Sequence, residues 1–446
     1  MRMRFVASTV LVLLAGCASR TQSNGGLEDS LLSEIAKIKV IDNHGHPLKV
    51  VGEGEKPDEE YDALTFEEME PAPPPLRIRD DNPEYITAWK LFYGYLHNDM
   101  STAHVKNLMA RKQKVMREKG AAYPAWILDQ LGIETLLANR VAMGKGLDAP
   151  RFRWVSYVDA LMLPFPDEAA KDENPDYRSF YRAQERLQTR YRDESGVKAL
   201  PATLEEYEKQ IVTATLERQK RQGVVAVKFE AAYLRALDFA RVDRAPAAAV
   251  YARIARGGEW QPGEYKLLQD HLFRFISTEA GRLKLPVHIH ACGGAGGYYK
   301  LGGTNPAHLD GVFSDPALRK TMFVLVHGGW PYTKETAFLI GKPNVYVDMS
   351  ALVFVLYPRQ VSRILRDWLE MVPEHVLYGG DVEPFMPQIN WEETAWLTAT
   401  TGRKALSMAL AGMIEDGVVT REKALRMARG VMRGNAASLY GFPDNP

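Results

Sequence analysis

The chain has 446 residues, and its 56 Lys and Arg residues balance 56 Asp and Glu residues, which argues against a nucleic-acid-binding protein with its usual basic excess. Hydrophobic residues make up 46% and charged residues 25% of the chain, values that exclude a disordered chain, a collagen and a polytopic membrane protein. Two cysteines are too few for a disulfide scaffold, and the length suits either two or three average domains or one elaborated α/β barrel.

The first 17 residues have the pattern of an export signal. A short cationic segment precedes an apolar run over residues 5–14, which is too short to span a membrane but suits a signal sequence. Residues 14–17 (LAGC) resemble the lipobox of bacterial lipoproteins, in which the cysteine is lipidated and becomes the mature N-terminus. An ordinary secretory signal with a chance cysteine is the alternative. We predict a signal over residues 1–17, lipidation of Cys17, a polar tether over residues 18–30, and a lipoprotein of the outer membrane that faces the periplasm.

Eight short apolar runs, rich in valine, isoleucine and aromatic residues, follow in the chain, and each ends in a polar residue. Such runs are typical of parallel strands buried on both faces. Helical periodicity over residues 204–221, 265–283 and 358–371 separates several of them. Strands alternating with helices predict βαβ units, and eight strands predict a (β/α)₈ barrel, with an open doubly wound sheet as the alternative. The runs are residues 39–46, 135–140, 152–160, 224–230, 286–292, 323–328, 345–350 and 375–381.

Two long segments do not fit a minimal barrel. Residues 51–130 begin acidic and proline-rich and continue with helical periodicity, and residues 164–222 are charged and tyrosine-rich. Long insertions of this kind are often lids or binding loops. We therefore predict one barrel over residues 31–446, closed by helices over residues 403–439, with both insertions over its active-site face.

Five of the ten histidines lie at the C-terminal ends of predicted strands. Alternate residues of a strand point the same way, so the two histidines of an HxH pair can converge on one ion. Imidazole suits Zn²⁺ and other transition metals, although a lone HxH pair is equally expected as two hydrogen-bonded histidines. Because barrel enzymes place their sites at this face, the joint pattern predicts a metal centre. The residues are His44, His46, His288, His290 and His327, and Asp381 ends the eighth strand.

Lys228 ends the fourth strand, and several roles are open to it. It could be carboxylated and bridge two metal ions, bind a substrate carboxylate or carbonyl oxygen as an ammonium, or form a Schiff base. The histidine set argues against the Schiff base, and we favour substrate binding; a lysine that only extends to solvent ranks third. Other residues near strand ends are candidate substrate contacts, although each could equally pack or cap an element. They are Arg140, Tyr233, Arg235, His288 and Trp330.

The order of an HxH pair, two later histidines and a final aspartate resembles the amidohydrolase superfamily. More narrowly it resembles the amidohydrolase-related branch that contains the aminocarboxymuconate-semialdehyde decarboxylases. The chain is also similar to the amidohydrolase-like domain of plant nodulin and glutamine synthetase-like fusions. The likeness runs from about residue 39 to residue 442 and is weakest over residues 51–130. The segments that carry it are KFEAAYLRAL (228–237), LPVHIHACGG (285–294), VLVHGGWPYTKE (324–335), NVYVDMS (344–350) and GNAASLYGF (434–442).

This resemblance implies roles for the candidate residues. His44, His46, His290 and Asp381 would hold a divalent metal ion, with zinc expected and one or two ions per chain. Asp381 would also act as general base, and His327 would bind a second ion or polarise the substrate.

The implied function is a metal-dependent hydrolase that attacks an amide, lactone or ester of a small, acidic molecule with metal-activated water. A metal-dependent non-oxidative decarboxylase with the same ligands is the first alternative. A non-catalytic tethered binding lipoprotein is the second. The expected partners are the small-molecule substrate and, through Cys17, a membrane, but no nucleic acid; a monomer and a homo-oligomer both remain open.

Overall fold

The computed structural model describes residues 25–64, 67–261 and 263–443. The predicted signal and Cys17 therefore lie outside the described residues. Helix α1 (Gly25–Ile35) begins inside the segment predicted as a tether. Leu31 and Ile35 of this helix are fully buried and Leu27 packs against the core, so the predicted boundary at residue 30 falls inside a helix that packs on the barrel.

Eight strands form one sheet in sequence order, and each pairs in parallel with the next. The segment after the eighth strand closes the sheet onto the first. Asp381 N donates to His44 O at 2.7 Å, and His46 N donates to Val382 O at 2.6 Å. The predicted barrel is thereby confirmed, and the open doubly wound sheet is excluded. The strands are β1 Val40–Gly45, β2 Ile133–Arg140, β3 Phe152–Tyr157, β4 Ala226–Phe229, β5 Val287–His290, β6 Phe323–Val326, β7 Val345–Asp348 and β8 Val376–Leu377.

Helices surround the barrel and fill its connections. A π-helical segment, Glu208–Thr213, joins α8 to α9, so the helix predicted over residues 204–221 is continuous. The helices predicted over residues 265–283 and 358–371 correspond to α12 and α16. After α1, the helices are α2 Tyr85–Tyr93, α3 Thr102–Lys119, α4 Tyr123–Leu131, α5 Asp159–Met162, α6 Glu168–Glu173, α7 Arg178–Glu194, α8 Leu204–Tyr207, α9 Ala214–Arg221, α10 Ala231–Leu234, α11 Arg244–Ala255, α12 Glu264–Arg282, α13 Asp310–Phe313, α14 Thr333–Leu339, α15 Leu352–Val355, α16 Pro358–Met371, α17 Trp391–Glu415, α18 Arg421–Arg429 and α19 Asn435–Tyr440.

The apolar strands are buried on both faces, as their composition predicted. Their outer faces pack on the helices, and their inner faces form a separate small core inside the barrel. Ala436 and Ala437 of α19 join this inner core and close the barrel at the end opposite the strand C-termini. The free, C-terminal end of the barrel is left for the polar residues that follow each strand.

The two insertions lie between β1 and β2 and between β3 and β4. The first is fixed to the barrel by Lys112 of α3, whose buried ammonium lies 2.8 Å from Glu393 and 3.3 Å from Glu392 of α17. Buried Trp89 of α2 donates its indole N–H to Gln388 O at 3.0 Å. Within the described ranges, no helix combines the length and the apolar character that a membrane span requires.

Candidate metal centre

His44, His46 and Asp381 meet at the C-terminal end of the barrel, where β1 and the segment after β8 lie side by side. Their candidate metal-binding atoms lie within 4.8 Å of one another. Asp381 Oδ1 is 3.1 Å from His44 Nε2 and 3.4 Å from His46 Nε2, and the two Nε2 atoms are 3.3 Å apart. The structure therefore brings together the predicted HxH pair and the predicted aspartate.

His290 of β5 and His327, which follows β6, complete the group. Their ring centroids are 4.5 Å apart, and the His327 ring is 5.0 Å from the His44 ring. His290 Nε2 is buried and has no hydrogen-bond partner among the described residues. A buried polar nitrogen without a partner costs free energy, and a metal ion would satisfy it.

Each of the four imidazole rings has a polar neighbour at Nδ1, the outer nitrogen of His44, His46 and His290. At His46 and His290 this neighbour is a carboxylate that can accept the Nδ1 proton and leave Nε2 to face an ion, the usual arrangement around protein-bound metals, whereas Asn139 and Ser350 orient the rings of His44 and His327. The donor set is thus chemically suited to a divalent transition metal. The pairs are Asn139 Nδ2 with His44 at 2.8 Å, Asp62 Oδ2 with His46 at 2.9 Å, Glu230 Oε2 with His290 at 3.2 Å, and Ser350 Oγ with His327 at 2.9 Å.

The electrostatics favour neutral rings around a charged carboxylate. Burial, and then the Lys228 ammonium, lowers the pKa of His44 to about 3. Burial also lowers the pKa of His327 well below its usual range. Burial opposes ionisation of Asp381, but His327 and the hydrogen bonds from the HxH pair hold the pKa of this carboxyl well below its usual range. Neutral imidazole and ionised carboxylate are the forms that bind metal ions.

His46 differs from the other rings. Burial lowers its pKa, but the carboxylates of Asp62 and Asp381 outweigh burial and raise the pKa of His46 well above its usual range. The ring is therefore protonated at neutral pH in the absence of an ion, so metal binding at this site would release a proton.

The backbone is strained at two residues of the cluster. His327 has φ 68° and Asp381 has φ 60°, both in the left-handed region. A residue other than glycine costs about 1–3 kcal/mol in such a conformation, and this strain is common at functional sites. Asp42 supports the turn before Asp381 by accepting a hydrogen bond from Gly380 N at 2.8 Å.

Lys228 and His288 lie deeper in the barrel. Lys228 Nζ is 2.9 Å from Glu230 Oε1 and 3.4 Å from His44 Nε2. His288 Nε2 instead lies 2.7 Å from the hydroxyl of Tyr440 in α19. His290 thus lies in the cluster, whereas His288, predicted as a substrate contact, contacts the closing helix α19.

Arg140, predicted as a substrate contact, does not face the cluster. Its guanidinium is fully buried, lies 2.9 Å from Asp58 Oδ1, and donates to Pro47 O at 2.6 Å. A third hydrogen bond runs to Ala142 O at 2.8 Å. This correction has a clear reason: the guanidinium is engaged by Asp58 and by two backbone carbonyls, and it holds the first insertion against the barrel.

The other three predicted contacts lie in different surroundings. The Tyr233 ring is 4.2 Å from the His290 ring, as a residue of the site should be. Arg235 has its guanidinium 2.6 Å from Asp270 and lines a neighbouring cavity. Trp330 is partly buried in the loop after β6, where its carbonyl accepts a hydrogen bond from Gly293 N at 3.0 Å.

The sequence analysis missed the residues that contact Nδ1 of the histidines. Asp62 lies in an acidic stretch with no periodicity to single it out, and Ser350 lies beyond β7. Glu230 carried a weak signal, because it follows Lys228 at the same strand end. Near Asp381, burial and the carboxylate of Asp381 raise the pKa of the Glu383 carboxyl well above its usual range. Burial raises the pKa of the Cys292 thiol to about 12.

Comparisons with known proteins place this geometry in context. The family model described as Amidohydrolase matches residues 149–442, a range that contains His290, His327 and Asp381 but not the HxH pair of β1. Protein fluG of Emericella nidulans is 33% identical over 145 residues, which cover 32% of this chain and 16% of fluG. The matching part therefore spans about one sixth of the length of that relative.

Solved structures show the same fold at low identity. Glucuronate isomerase from Caulobacter crescentus superimposes with a TM-score of 0.61 and 14% identity, covering 96% of each chain. A protein of Lactobacillus casei classed as a metal-dependent hydrolase gives a TM-score of 0.58 at 17% identity, covering 92% of this chain and 97% of that one. Uronate isomerase from Thermotoga maritima gives 0.58 at 16% identity, covering 93% of this chain and 97% of its own. These likenesses confirm the barrel.

Proposed function

The chain belongs to the amidohydrolase family, and we propose that it is a metal-dependent hydrolase that cleaves an amide, lactone or ester bond of a small molecule. The observation that carries this proposal is the convergence of four imidazole rings on one carboxylate, with each ring oriented by a partner at Nδ1. Such an arrangement is costly to bury without an ion, because it leaves His290 Nε2 unsatisfied among the described residues.

We propose His44, His46, His290 and Asp381 as the metal ligands. Zinc is the expected ion, because three imidazoles and one carboxylate match its preferred donors. When bound, such an ion supplies Lewis acidity and lowers the pKa of a water molecule from 15.7 to about 7.

The remaining chemistry belongs to the side chains of the chain itself. Asp381, held ionised within the cluster, accepts the proton of the attacking water and passes it to the leaving group. His327 lies on the other side of this carboxylate, with Nδ1 3.5 Å from Asp381 Oδ2, and is placed to polarise the substrate carbonyl. Lys228 places its Nζ 3.4 Å from His44 Nε2 and offers a hydrogen bond to the carbonyl oxygen or to an acidic group of the substrate.

Glu230 supports an ammonium rather than a carboxylated Lys228. The carboxylate lies 2.9 Å from Lys228 Nζ, and both side chains are almost completely buried. A carboxylated lysine would be an anion, so it would face repulsion from Glu230 at this distance in a poorly screened interior. We therefore propose one metal ion per chain.

An acidic group on the substrate would need a cationic partner. The two arginines predicted as substrate contacts, Arg140 and Arg235, are engaged by the carboxylates of Asp58 and Asp270. Recognition of an acidic group would thus depend on Lys228. The export and lipidation of the chain at Cys17 also remain our proposal, supported by the residue pattern of positions 1–17.

A panel of small esters, lactones and amides, each with and without a carboxylate, tests the function. The purified protein should hydrolyse at least one class, and both His44→Ala and Asp381→Asn should abolish turnover while the protein stays folded. His308→Ala is the control, because this histidine is exposed and outside the cluster. Full activity in His44→Ala or Asp381→Asn would contradict the metal-site assignment. Release of CO₂ from a carboxylic acid, without hydrolysis, would favour a decarboxylase instead.

A further inference from the structure

The proposed metal ligands are almost closed off from solvent. The exposed fractions are 0% for His44, 5% for His46, 4% for His290 and 7% for Asp381. A substrate reaches such a centre through the segments that cover the end of the barrel, and movement of covering segments sets the rate of this step in many enzymes. The contacts that keep these segments closed can be identified on the structure.

Three segments meet at the carboxylate of Asp176, which is itself 2% exposed. Asp176 belongs to the second insertion, between α6 and α7. Its Oδ2 accepts hydrogen bonds from Gly297 N at 2.6 Å and from Tyr298 N at 3.3 Å, both in the glycine-rich loop after β5. Its Oδ1 accepts a hydrogen bond from Glu70 N of the first insertion at 2.8 Å. One buried carboxylate thus ties both insertions to the loop that follows His290.

Tyr177 extends this junction toward the metal centre. Its hydroxyl donates to Ala295 O at 2.6 Å and accepts from Ala295 N at 3.0 Å. Its ring meets the Tyr233 ring edge-on at 5.3 Å, and the Tyr233 ring lies 4.2 Å from His290. A continuous path of contacts therefore runs from Asp176 to a proposed metal ligand.

The glycines of the loop permit this close approach. A Cβ atom at Gly296 would lie 2.2 Å from Asp176 Oδ2, and one at Gly294 would lie 2.8 Å from the Tyr177 hydroxyl. Gly296 also has φ 88°, a conformation that other residues rarely adopt. The GGAGG sequence over residues 293–297 is thus accounted for by its packing on Asp176 and Tyr177.

A cavity of about 540 Å³ lies beside this junction, on the same end of the barrel. It is formed by the segments after β3, β4 and β5, and Tyr233 is the residue that both lines it and contacts His290. Its wall combines charged side chains, among them Arg235, Lys266 and Lys300, with aromatic ones, namely Tyr181, Tyr233, Trp260, Tyr265 and Tyr298.

We propose that Asp176 is a positioning residue that holds both insertions and the glycine-rich loop closed over the metal centre. Release of its hydrogen bonds would let substrate pass from the cavity beside the junction, by way of Tyr233, to the histidines. The inference rests on the proposed function, since opening matters only if a substrate must enter. The hydrogen bonds of Asp176 would then set the rate at which substrate enters the metal centre.

Asp176→Asn tests the proposal in the full chain loaded with zinc. Asparagine keeps the shape of the side chain, but its amide N–H₂ must face one of the backbone N–H donors. The amides of Glu70, Gly297 and Tyr298 should exchange with deuterium at least about tenfold faster, because loss of a hydrogen bond to a charged group shifts an opening equilibrium by at least that factor. The rate at which the small chelator dipicolinate removes zinc should rise by a similar factor.

Two further variants make the result interpretable. Asp172→Asn alters an exposed aspartate of the same insertion, paired with Arg178 at 3.0 Å, and should leave both rates unchanged. Tyr177→Phe removes only a hydroxyl and should accelerate both rates to a smaller extent, which keeps the proposal testable if Asp176→Asn folds poorly.

Unchanged amide exchange in Asp176→Asn and Tyr177→Phe would overturn the proposal. Faster exchange with an unchanged rate of zinc removal would overturn the claim that these bonds control access. The exchange measurement needs no metal, so an inability of the wild-type protein to bind zinc would contradict the proposed function separately from the closing role of Asp176.

Discussion

Replacement of Glu230 by glutamine bears on both the stability of the barrel and its affinity for metal. The Glu230 carboxylate pairs with Lys228 Nζ at 2.9 Å and with His290 Nδ1 at 3.2 Å. The side chains of Lys228 and Glu230 are 0% and 3% exposed. A neutral amide at position 230 leaves the ammonium without a counter-charge and presents an N–H₂ group to one of the two donors.

The structure sets the size of the effect. Breaking a buried ion pair by removing one partner costs about 3–5 kcal/mol, because the remaining charge is uncompensated. Loss of the partner behind a metal-binding histidine lowers metal affinity about 10–100-fold. Glu230→Gln should therefore lose about 3–5 kcal/mol of unfolding free energy in the metal-free state and bind zinc about 10–100-fold more weakly.

Urea unfolding of the metal-free protein measures the first quantity, and competition with a chromogenic chelator measures the second. Lys228→Met in the Glu230→Gln background should restore most of the stability, because it removes the unpaired charge, but it should leave zinc affinity low. Glu173→Gln is the control, since its ion pair with Lys300 is exposed and should contribute about 1 kcal/mol or less. A Glu230→Gln protein within about 1 kcal/mol of wild type, with zinc affinity within about twofold, would refute the reasoning.

Three other predictions follow from single residues. Arg140→Met should cost about 3–5 kcal/mol in urea unfolding, through the unpaired Asp58, and leave KM unchanged; a raised KM at unchanged stability would restore its predicted contact with substrate. Burial raises the pKa of Glu393 to about 7, although Lys112 acts to lower it. The proton bound to Glu393 therefore stabilises the folded state, and this contribution is complete below pH 4.5. It amounts to roughly 3 kcal/mol and is lost as the pH rises through 7. Glu393→Gln should reduce that loss between pH 5 and pH 8, and an identical pH dependence of urea unfolding in the variant would contradict it. Cys17→Ser should move the protein from the membrane fraction to the soluble fraction of the cell that produces it, and persistent membrane association would contradict lipidation at this residue.

The barrel could be predicted because its strands are nearly continuous apolar runs, and such runs indicate strands covered on both faces. The metal centre could also be predicted from local geometry. His44 and His46 are separated by two positions, the side-chain period of a strand, so their convergence follows from local geometry. His290 is the last residue of β5 and Asp381 follows β8 by four residues, and a barrel brings the C-terminal ends of all its strands together.

The partners of these residues could not be predicted, because they depend on contacts between segments far apart in the chain. Asp62 reaches His46 from the first insertion, where the acidic sequence offers many similar carboxylates. The prediction for Arg140 failed for the same reason, since the sequence showed a cation at a strand end but not the carboxylate of Asp58 that engages it. Asp176 is an ordinary aspartate until the glycine-rich loop packs on it.

The most direct test of the metal centre is the metal content of the purified protein, measured by elemental mass spectrometry with no metal added after purification. About one zinc ion per chain is expected, and His44→Ala and Asp381→Asn should lose it, whereas His308→Ala should keep it. A protein that contains no divalent metal, and takes up none on reconstitution, would contradict the proposed metal-dependent hydrolase and leave a non-catalytic binding protein.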